Sequence, residues 1–301
     1  FINYLGRFIE PINEMTQRLS VLQQASVAGE RVFKLLDAPE APEFAGALIP
    51  QDNTLEFRDV SFRYRDDSPT VIKHVNLTIN AGDFIGIVGH TGSGKSTLMS
   101  LLLRFYTPQA GQILWGGQAL CDINLEVLRR RVSLVPQDAF LFPGSVYDNI
   151  TIGRPTPIEE VEALLKTYGL MTAFARLPQG LNTLLTERGS NISAGQRQLV
   201  ALVRALIRQP DILVLDEATA SVDSETEQWV QQALFRLRGT MTVIAIAHRI
   251  STITEADHII VLNHGEIVER GNHRSLLEHH GIYNTLYQMQ SQQLLLTKGA
   301  A

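Results

Sequence analysis

The sequence predicts an α/β fold. Two short apolar runs, residues 84–88 and 212–215, are typical of buried strands, and helical periodicity follows each of them. The first run leads into a glycine-rich loop and the second into two carboxylates. Because open α/β sheets bind ligands beyond the carboxyl ends of their strands, these two strand ends are the predicted ligand site.

The composition is that of a packed globular protein. The 301 residues are 45% hydrophobic and 19% charged, and the net charge of −5 offers no basic field to nucleic acid. The single cysteine, Cys121, cannot form an internal disulfide. The sequence contains no apolar run of about 18 residues, so it predicts no membrane span. It opens at Phe1 within a helical pattern, which favours a fragment of a longer polypeptide.

Residues 89–97 carry the pattern G-x-x-x-x-G-K-[ST] between a strand and a helix. Glycines lack a Cβ atom, so backbone N–H groups can converge on phosphate oxygens, and the dipole of the following helix favours anions. Lys95 would reach the β- and γ-phosphates, and Ser96 would bind Mg²⁺. The structural alternative is an ordinary glycine-rich turn. The candidate residues for binding the nucleotide are Gly89, His90, Thr91, Gly92, Ser93, Gly94, Lys95, Ser96 and Thr97.

Two carboxylates, Asp216 and Glu217, follow the apolar run of residues 212–215. Asp216 is placed to hold the Mg²⁺ shell. Glu217, one residue further towards the γ-phosphate, is placed to polarise a water as a general base. Such a pair on its own usually marks the start of a helix. Together with the glycine-rich loop upstream, it predicts the metal-binding and catalytic carboxylates of a nucleotide site.

A third pattern lies at residues 192–198, where Ser193 and Gln196 have the spacing of a capping box at a helix N-terminus. This structural interpretation holds whichever function the chain has. The functional interpretation adds that the helix N-terminus and the Ser193 hydroxyl bind the γ-phosphate of a second nucleotide.

The patterns also predict a domain organisation. The first segment carries apolar residues at heptad-like spacing, and Pro11 predicts a kink in it. The residues of this stripe are Phe1, Leu5, Phe8, Ile12, Met15, Leu19 and Leu22. It is interpreted either as an amphipathic helix packed on its own domain or as the end of a longer helix that packs against partner helices. The predicted boundaries are a helix over residues 1–37, a proline-punctuated linker over 38–51, a domain over 52–290 with a mainly helical part at about 141–209, and a tail over 291–301.

Taken in order, these motifs resemble the ATP-binding cassette (ABC) family over residues 52–290. The order is the glycine-rich loop, a lone Gln137, the ISAGQ segment at residues 192–196, the strand ending on Asp216, and then His248. The resemblance implies an ABC ATPase fold: a RecA-like P-loop NTPase core, an N-terminal antiparallel β subdomain and a helical subdomain. ATP and Mg²⁺ are the cofactors that it implies.

Neighbouring segments narrow the resemblance to the exporter branch and to bacterial multidrug-resistance-like half-transporters, which carry one membrane domain and one ATPase domain per chain. These segments are VPQDAFLF at residues 135–142, DNI at 148–150 and TERG at 186–189. In this comparison residues 1–37 look like the end of the last transmembrane or intracellular helix of the membrane domain.

The resemblance assigns roles to further residues. Tyr64 matches the aromatic that stacks on adenine, with a core aromatic as the structural alternative. Gln137 matches the glutamine that contacts Mg²⁺ and the attacking water, and His248 the histidine on the γ-phosphate. Residues 187–189 match a segment that communicates with the membrane domains, and residues 221–223 match one that contacts the opposite subunit.

One position departs from the family pattern. The signature motif usually reads L-S-G-G-Q, whereas this chain has Ile192, Ser193, Ala194, Gly195 and Gln196. Ala194 adds a methyl group where the backbone is expected to approach phosphate closely, and alanine is acceptable there if its φ is negative. Ser193, Ala194, Gly195 and Gln196 therefore remain candidates for binding nucleotide.

The resemblance implies an ATP-hydrolysing domain that powers export of a substrate, possible classes being drugs and lipids. The implied partners are a membrane domain fused upstream and a second ABC ATPase chain, identical or homologous, at the cytoplasmic face of the cell membrane; nucleic acid is not an expected partner. The alternatives are a soluble ABC ATPase that acts on nucleic acid or ribosomes, an importer ATPase subunit, and a regulatory module that binds ATP without turnover. The sequence does not identify the exported substrate.

Overall fold

The computed structural model describes residues 2–37, 49–216, 224–246 and 252–298; for residues 2–6, 8–10, 12, 224 and 292–298 it describes the backbone alone. The chain divides into two compact units, residues 1–43 and residues 44–301. The described part of the first unit is helical, and the second unit contains every strand that the structure describes.

The first unit contains one long helix, α1 (Ile2–Leu36), which continues through Pro11, so the predicted kink does not divide it. Met15, Leu19 and Leu22 belong to the predicted heptad-like stripe, and each is more than half exposed. The side chains of the four earlier members of that stripe lie outside the described residues. No helix in the described ranges is both long and apolar enough to cross a membrane.

The second unit is built from short strands and helices that alternate along the chain. The strands are β1 (Leu55–Phe62), β2 (Ile72–Ile79), β3 (Phe84–Val88), β4 (Ala110–Trp115), β5 (Gln118–Ala119), β6 (Val132–Val135), β7 (Gly144–Ser145), β8 (Leu184–Leu185), β9 (Ile212–Asp216), β10 (Thr242–Ile246), β11 (His258–Asn263) and β12 (Glu266–Gly271). The helices are α2 (Lys95–Leu102), α3 (Leu125–Arg131), α4 (Val146–Thr151), α5 (Ile158–Thr167), α6 (Met171–Ala175), α7 (Ala194–Leu206), α8 (Ser224–Leu237), α9 (His273–Glu278) and α10 (Ile282–Lys298).

The central sheet has six strands in the order β12-β11-β3-β10-β9-β6. Strands β11, β3, β10, β9 and β6 run parallel, and β12 pairs antiparallel with β11 at one edge. The glycine-rich loop follows β3, and β9 ends on Asp216, with β10 between the two strands. The carboxyl ends of β3 and β9 therefore lie on the same side of the sheet, the side at which all the parallel strands end, as the α/β prediction requires.

Each face of the central sheet is covered by a different layer. Successive side chains of a strand point to opposite faces, and β9 follows this rule: Ile212 and Val214 join one hydrophobic core, whereas Leu213 and Leu215 join another. The first core lies under α2 and the antiparallel sheet β2-β1-β4-β5. The second lies under α7, α8 and the helical part. This is the RecA-like core with the antiparallel β subdomain and the helical subdomain that the sequence predicts.

The mainly helical part between about residues 141 and 209 contains α4 to α7, and also a small antiparallel pair that the sequence did not predict. In this pair β7 and β8 join Gly144 with Leu185 and Ser145 with Leu184. Each strand has only two residues, which is too short to show the alternation by which a strand is recognised.

The C-terminal helical segment contains a break that no local pattern in the sequence indicates. The structure has two helices, α9 and α10, separated at Gly281. The Glu269 carboxylate accepts hydrogen bonds from the backbone N–H groups of Ile282 and Tyr283 at 2.5 and 3.1 Å, and so caps α10. A Cβ atom on Gly281 would lie 2.3 Å from that carboxylate. A long-range contact therefore decides the break.

Candidate nucleotide-binding site

The glycine-rich loop connects β3 to α2 and packs closely against β11. Gly94 is the N-cap of α2, with φ of +105°, and a Cβ atom on Gly89 would lie 2.1 Å from the backbone oxygen of Leu262 in β11. The backbone oxygen of Ser93 accepts a hydrogen bond from the N–H of Gly265 at 3.0 Å. The turn between β11 and β12 thus supports the back of the loop, and glycine is required where the loop and β11 touch.

Lys95 is the first residue of α2 and is only 5% exposed. Its Nζ atom donates hydrogen bonds to the backbone oxygens of Gly89 and His90 at 2.7 and 3.0 Å. The ammonium group is therefore held inside the loop, on the side towards which the loop curves. A positive charge in that place suits a phosphate group.

The loop residues fit a nucleoside triphosphate with Mg²⁺. The Ser93 hydroxyl is buried and has no hydrogen-bonding partner among the described residues, although buried hydroxyls normally have one. A Cβ atom on Gly92 would meet nothing within 4 Å, so the outer face of the loop is open. Ser96 is exposed at the first turn of α2, where a hydroxyl can reach a metal ion. These features provide donors, open space and a helix N-terminus for an anion.

Tyr64 lies beside α2 and is tied to it. Its hydroxyl is 2.9 Å from the hydroxyl of Thr97. The ring is 46% exposed and meets the rings of Phe62 and Tyr106 edge to face, with centroids 5.0 Å away in both cases. An aromatic face thus stands next to the phosphate loop. Stacking of adenine on Tyr64 stays a prediction, and Tyr106 is a neighbour that the sequence did not indicate.

The strand register brings two further predicted residues to the same edge. Ile246 of β10 pairs with Ile87 of β3 on one side and with Asp216 of β9 on the other. Neighbouring strands lie about 4.8 Å apart, so Asp216 stands two strands, or roughly 10 Å, from the strand that carries the loop. Gln137 is exposed and follows β6, whose Val135 pairs with Leu215 next to Asp216.

Five predicted residues lie outside the described residues. They comprise the proposed general base, the histidine of the γ-phosphate and the segment expected to contact the opposite subunit: Glu217, His248, Ser221, Val222 and Asp223. Their assignments stay predictions.

The signature segment forms the N-terminus of α7. Ser193 is its N-cap and forms the predicted capping box, since its hydroxyl accepts from the N–H of Gln196 at 3.1 Å and the Gln196 side chain accepts from the N–H of Ser193 at 3.0 Å. Ala194 is the first helical residue and is not among the residues with positive φ, so its methyl group causes no backbone strain. A Cβ atom on Gly195 would lie 2.8 Å from the side chain of Thr226 in α8.

The structure also connects α7 to the segment after β6. Gln198 donates from Nε2 to the backbone oxygen of Gln137 at 2.8 Å. Arg204 donates to the backbone oxygens of Phe140 and Asn149 at 2.9 and 2.8 Å, and burial lowers the pKa of its guanidinium. The sequence did not indicate these contacts, because the partners of both residues are more than 50 residues away and most of them are backbone atoms.

A groove lies between β6 and α7, next to Gln137. It has a volume of about 240 Å³, and its lining includes Val132, Pro136, Phe140 and Ala205. The Phe140 side chain is 48% exposed and packs edge to face on Phe142, which is 50% exposed. The groove is thus partly apolar, and the exposed ring of Phe140 contributes to its lining.

A phosphate loop on a mainly parallel sheet, combined with antiparallel and helical subdomains, defines the class of ATP-binding cassette ATPases. A family profile described as ABC transporter matches residues 72–220. Residues 72–220 are therefore an ABC transporter domain.

Known relatives extend the similarity over almost the whole chain. The chain is 42% identical to the "Multidrug resistance-like ATP-binding protein MdlB" of Buchnera aphidicola subsp. Acyrthosiphon pisum, over 97% of this chain and 50% of the relative. It is 41% identical to the "ATP-dependent lipid A-core flippase" of Alkalilimnicola ehrlichii, over 96% of this chain and 50% of the relative. It thus spans about half the length of these relatives.

A solved structure supports the fold independently. The chain resembles the solved structure described as "Structure of a bacterial Atm1-family ABC exporter with ATP bound", with a TM-score of 0.79 and 35% sequence identity. The match covers 96% of this chain and 51% of the chain in that structure. The resemblance to ABC exporters and the predicted fold class are therefore confirmed.

Proposed function

We propose that the chain is the part of an ABC exporter that binds and hydrolyses ATP and thereby powers transport across a membrane. The observation that carries the proposal is that several predicted residues lie together at the carboxyl ends of the parallel strands of the central sheet. There, a glycine loop with its internal Lys95 lies two strands from Asp216. Gln137 lies at the same edge, at the end of the next strand. A cation, a carboxylate and an amide are the groups that Mg²⁺ and a triphosphate require.

Each residue has a role in this proposal. The N–H groups of the loop and Lys95 bind the phosphates, Tyr64 faces the base, and Ser96, Gln137 and Asp216 hold the metal ion. Glu217 takes a proton from the attacking water, and His248 donates to the γ-phosphate. The bound Mg²⁺ supplies neutralisation of the charge that develops on the phosphate oxygens.

The reaction in this proposal needs a second chain. The N-terminus of α7 is exposed at Ser193. The capping box uses the N–H groups of Ser193 and Gln196, whereas those of Ala194 and Gly195 take no part in it and suit a phosphate. We place this turn on the nucleotide of the opposite subunit, so that ATP closes a dimer and hydrolysis reopens it. The partner is an identical or a homologous ABC ATPase chain.

The membrane domain is the other proposed partner, fused upstream of Phe1. The exposed apolar side chains of α1 suit packing against other helices, and the groove beside Gln137 suits an intruding segment of the membrane domain. This arrangement places the ATPase at the cytoplasmic face of the cell membrane. The names of the relatives make drugs and lipids the substrate classes to test.

The test is the substitution Glu217→Gln in the full-length protein. Loss of a general base costs roughly 10²- to 10⁴-fold in rate. We therefore expect phosphate release to fall by that factor while ATP binding and an ATP-dependent dimer persist, the latter measured by size-exclusion chromatography. The matched control is Glu159→Gln on the exposed surface of α5, which should leave the rate unchanged.

Phosphate release at an undiminished rate by the Glu217→Gln protein would show that Glu217 is not the base. If the unmodified protein binds ATP without releasing phosphate, the chain is a non-catalytic ATP-binding module.

A further inference from the structure

Gln198 is a buried polar residue between two parts of the proposed site. It lies on α7, five positions after Ser193, and is 7% exposed. Its Nε2 atom donates to the backbone oxygen of Gln137 at 2.8 Å. Its Oε1 atom has no hydrogen-bonding partner among the described residues. One side chain thus joins the helix that begins at the signature segment to the backbone of the residue proposed to hold the metal ion.

The chain that follows Gln137 is attached to the same helix at a second point. Arg204 of α7 donates to the backbone oxygens of Phe140 and Asn149. Asn149 in turn accepts from the N–H of Phe142 and donates to its backbone oxygen, both at 2.9 Å. Residues 137–149 are therefore held to α7 by two side chains, with Gln198 at the end nearest Gln137.

The hydrogen bonding of Gln198 is unusual for a residue that only fills space. Most buried polar atoms in proteins are paired, and an unpaired buried acceptor is costly. An apolar side chain of the same length would fill this position without that cost. The amide is explained if its donor atom has a task, namely to hold the peptide oxygen of Gln137 and so to orient that residue.

We propose that Gln198 is a positioning residue for ATP hydrolysis, which couples the position of the signature end of α7 to the position of Gln137. The inference rests on the proposed function, because it assigns Gln198 a part in that reaction. When α7 shifts as the second nucleotide binds at Ser193, the hydrogen bond from Gln198 carries the Gln137 backbone with it. Binding of the partner's nucleotide at Ser193 thereby sets the position of Gln137 at the nucleotide that the chain's own loop binds.

The test compares three variants of the full-length protein. Gln198→Met keeps the length of the side chain and removes both polar atoms. Gln198→Glu keeps the shape but replaces the donor with an oxygen. Gln232→Met makes the same change at an exposed glutamine of α8 and is the control. A misplaced group at a reacting centre costs up to about 10²-fold. We expect kcat for ATP hydrolysis to fall roughly 10- to 100-fold in both Gln198 variants, with KM for ATP within about 2-fold of the unmodified value.

A pH profile separates positioning from a structural role. A carboxyl group that is buried against a carbonyl oxygen has a raised pKa, and its protonated form can donate a hydrogen bond. The kcat of Gln198→Glu, relative to the unmodified protein, should therefore recover as the pH falls below about 7, and Gln198→Met should show no such recovery. The pH dependence compares kcat of a single variant at different pH values, so it does not require the variants to be equally stable.

Two results would overturn the inference. The first is a kcat of both Gln198 variants equal to that of Gln232→Met. The second is a fall in kcat that is accompanied by an equal loss of ATP affinity and that does not change with pH in Gln198→Glu. Absence of ATP hydrolysis in the unmodified protein is a separate outcome, and it would overturn the proposed function itself.

Discussion

At the scale of single residues, the properties of Lys95 follow from its position in the loop. The side chain is almost fully buried, yet its ammonium group is hydrogen-bonded to two carbonyl oxygens of the loop, Gly89 and His90. Burial of an ammonium group is costly unless it is hydrogen-bonded or paired. The two carbonyl oxygens therefore stabilise the buried ammonium group of Lys95 and keep its charge where the phosphates are proposed to bind.

The prediction at this scale concerns Lys95→Ala. Hydrogen bonds to charged groups contribute about 1.5–3 kcal/mol, so ATP affinity should fall roughly 10- to 100-fold. Titration with a fluorescent ATP analogue measures the change. Lys166→Ala, which removes an exposed lysine of α5, should leave the affinity unaltered. Equal affinities of the two variants would contradict the phosphate-binding role of the loop.

At the scale of elements, the position of α7, the helix that begins at the signature segment, depends on how closely it approaches α8. Gly195 has no side chain, and the space where its Cβ atom would lie is occupied by Thr226, which is 2% exposed. A second attachment involves Arg176, whose guanidinium forms an ion pair with Glu225 and lies 5.0 Å from the ring centre of Trp229. The first turns of α8 thus hold the helical subdomain at two points.

The substitution Gly195→Ala should separate these two helices. Its Cβ atom would lie within 3 Å of Thr226, and overpacking of this kind costs about 1–3 kcal/mol. We expect a lower midpoint of thermal unfolding, which calorimetry can measure. The control is Gly29→Ala in α1, where a Cβ atom meets nothing within 4 Å and alanine favours the helix. A midpoint for Gly195→Ala equal to that of the unmodified protein would show that α7 and α8 can move apart without cost.

At the scale of the whole molecule, the proposed site is divided between two surfaces of the chain. The described contacts of the phosphate loop include β11, the turn before β12 and Tyr64, all within the same chain. The described contacts of Ser193 and Gln196 lie within the first turn of α7. The proposed dimer brings one surface of each chain to the other surface of its partner.

This division predicts that two inactive variants can complement each other. For a dimer of identical chains, Lys95→Ala inactivates the loop and Ser193→Arg blocks the signature end. A mixed dimer then has one intact site. Random pairing of equal amounts should restore about a quarter of the unmodified rate of phosphate release, since half of the dimers are mixed and each has one intact site of two.

The control for this experiment is each variant measured alone, and both should be close to inactive. A mixture no more active than the separate proteins would contradict a site shared between two chains.

Much of the fold was predictable from local patterns. The buried strands β3 and β9, the loop at residues 89–97 and the capping box at Ser193 are each encoded within a few consecutive residues. The break before α10 was not predictable, because it depends on Glu269 of β12. The pair β7–β8 was also not predictable from local patterns. Each of these two-residue strands is defined only by its pairing with the other, about 40 residues away in the chain.

Local patterns were sufficient to predict the class of the fold and the candidate residues of the site, because spacing and residue type specify a phosphate loop, a capped helix and a strand that ends on carboxylates. Three features became visible only in the folded chain: the turn after β11 supports the loop, Gly195 makes room for Thr226, and Gln198 holds the backbone of Gln137. All three contacts join residues that are distant in the chain, and two of them use backbone oxygens, which every residue type provides. A linear pattern therefore carries no trace of them.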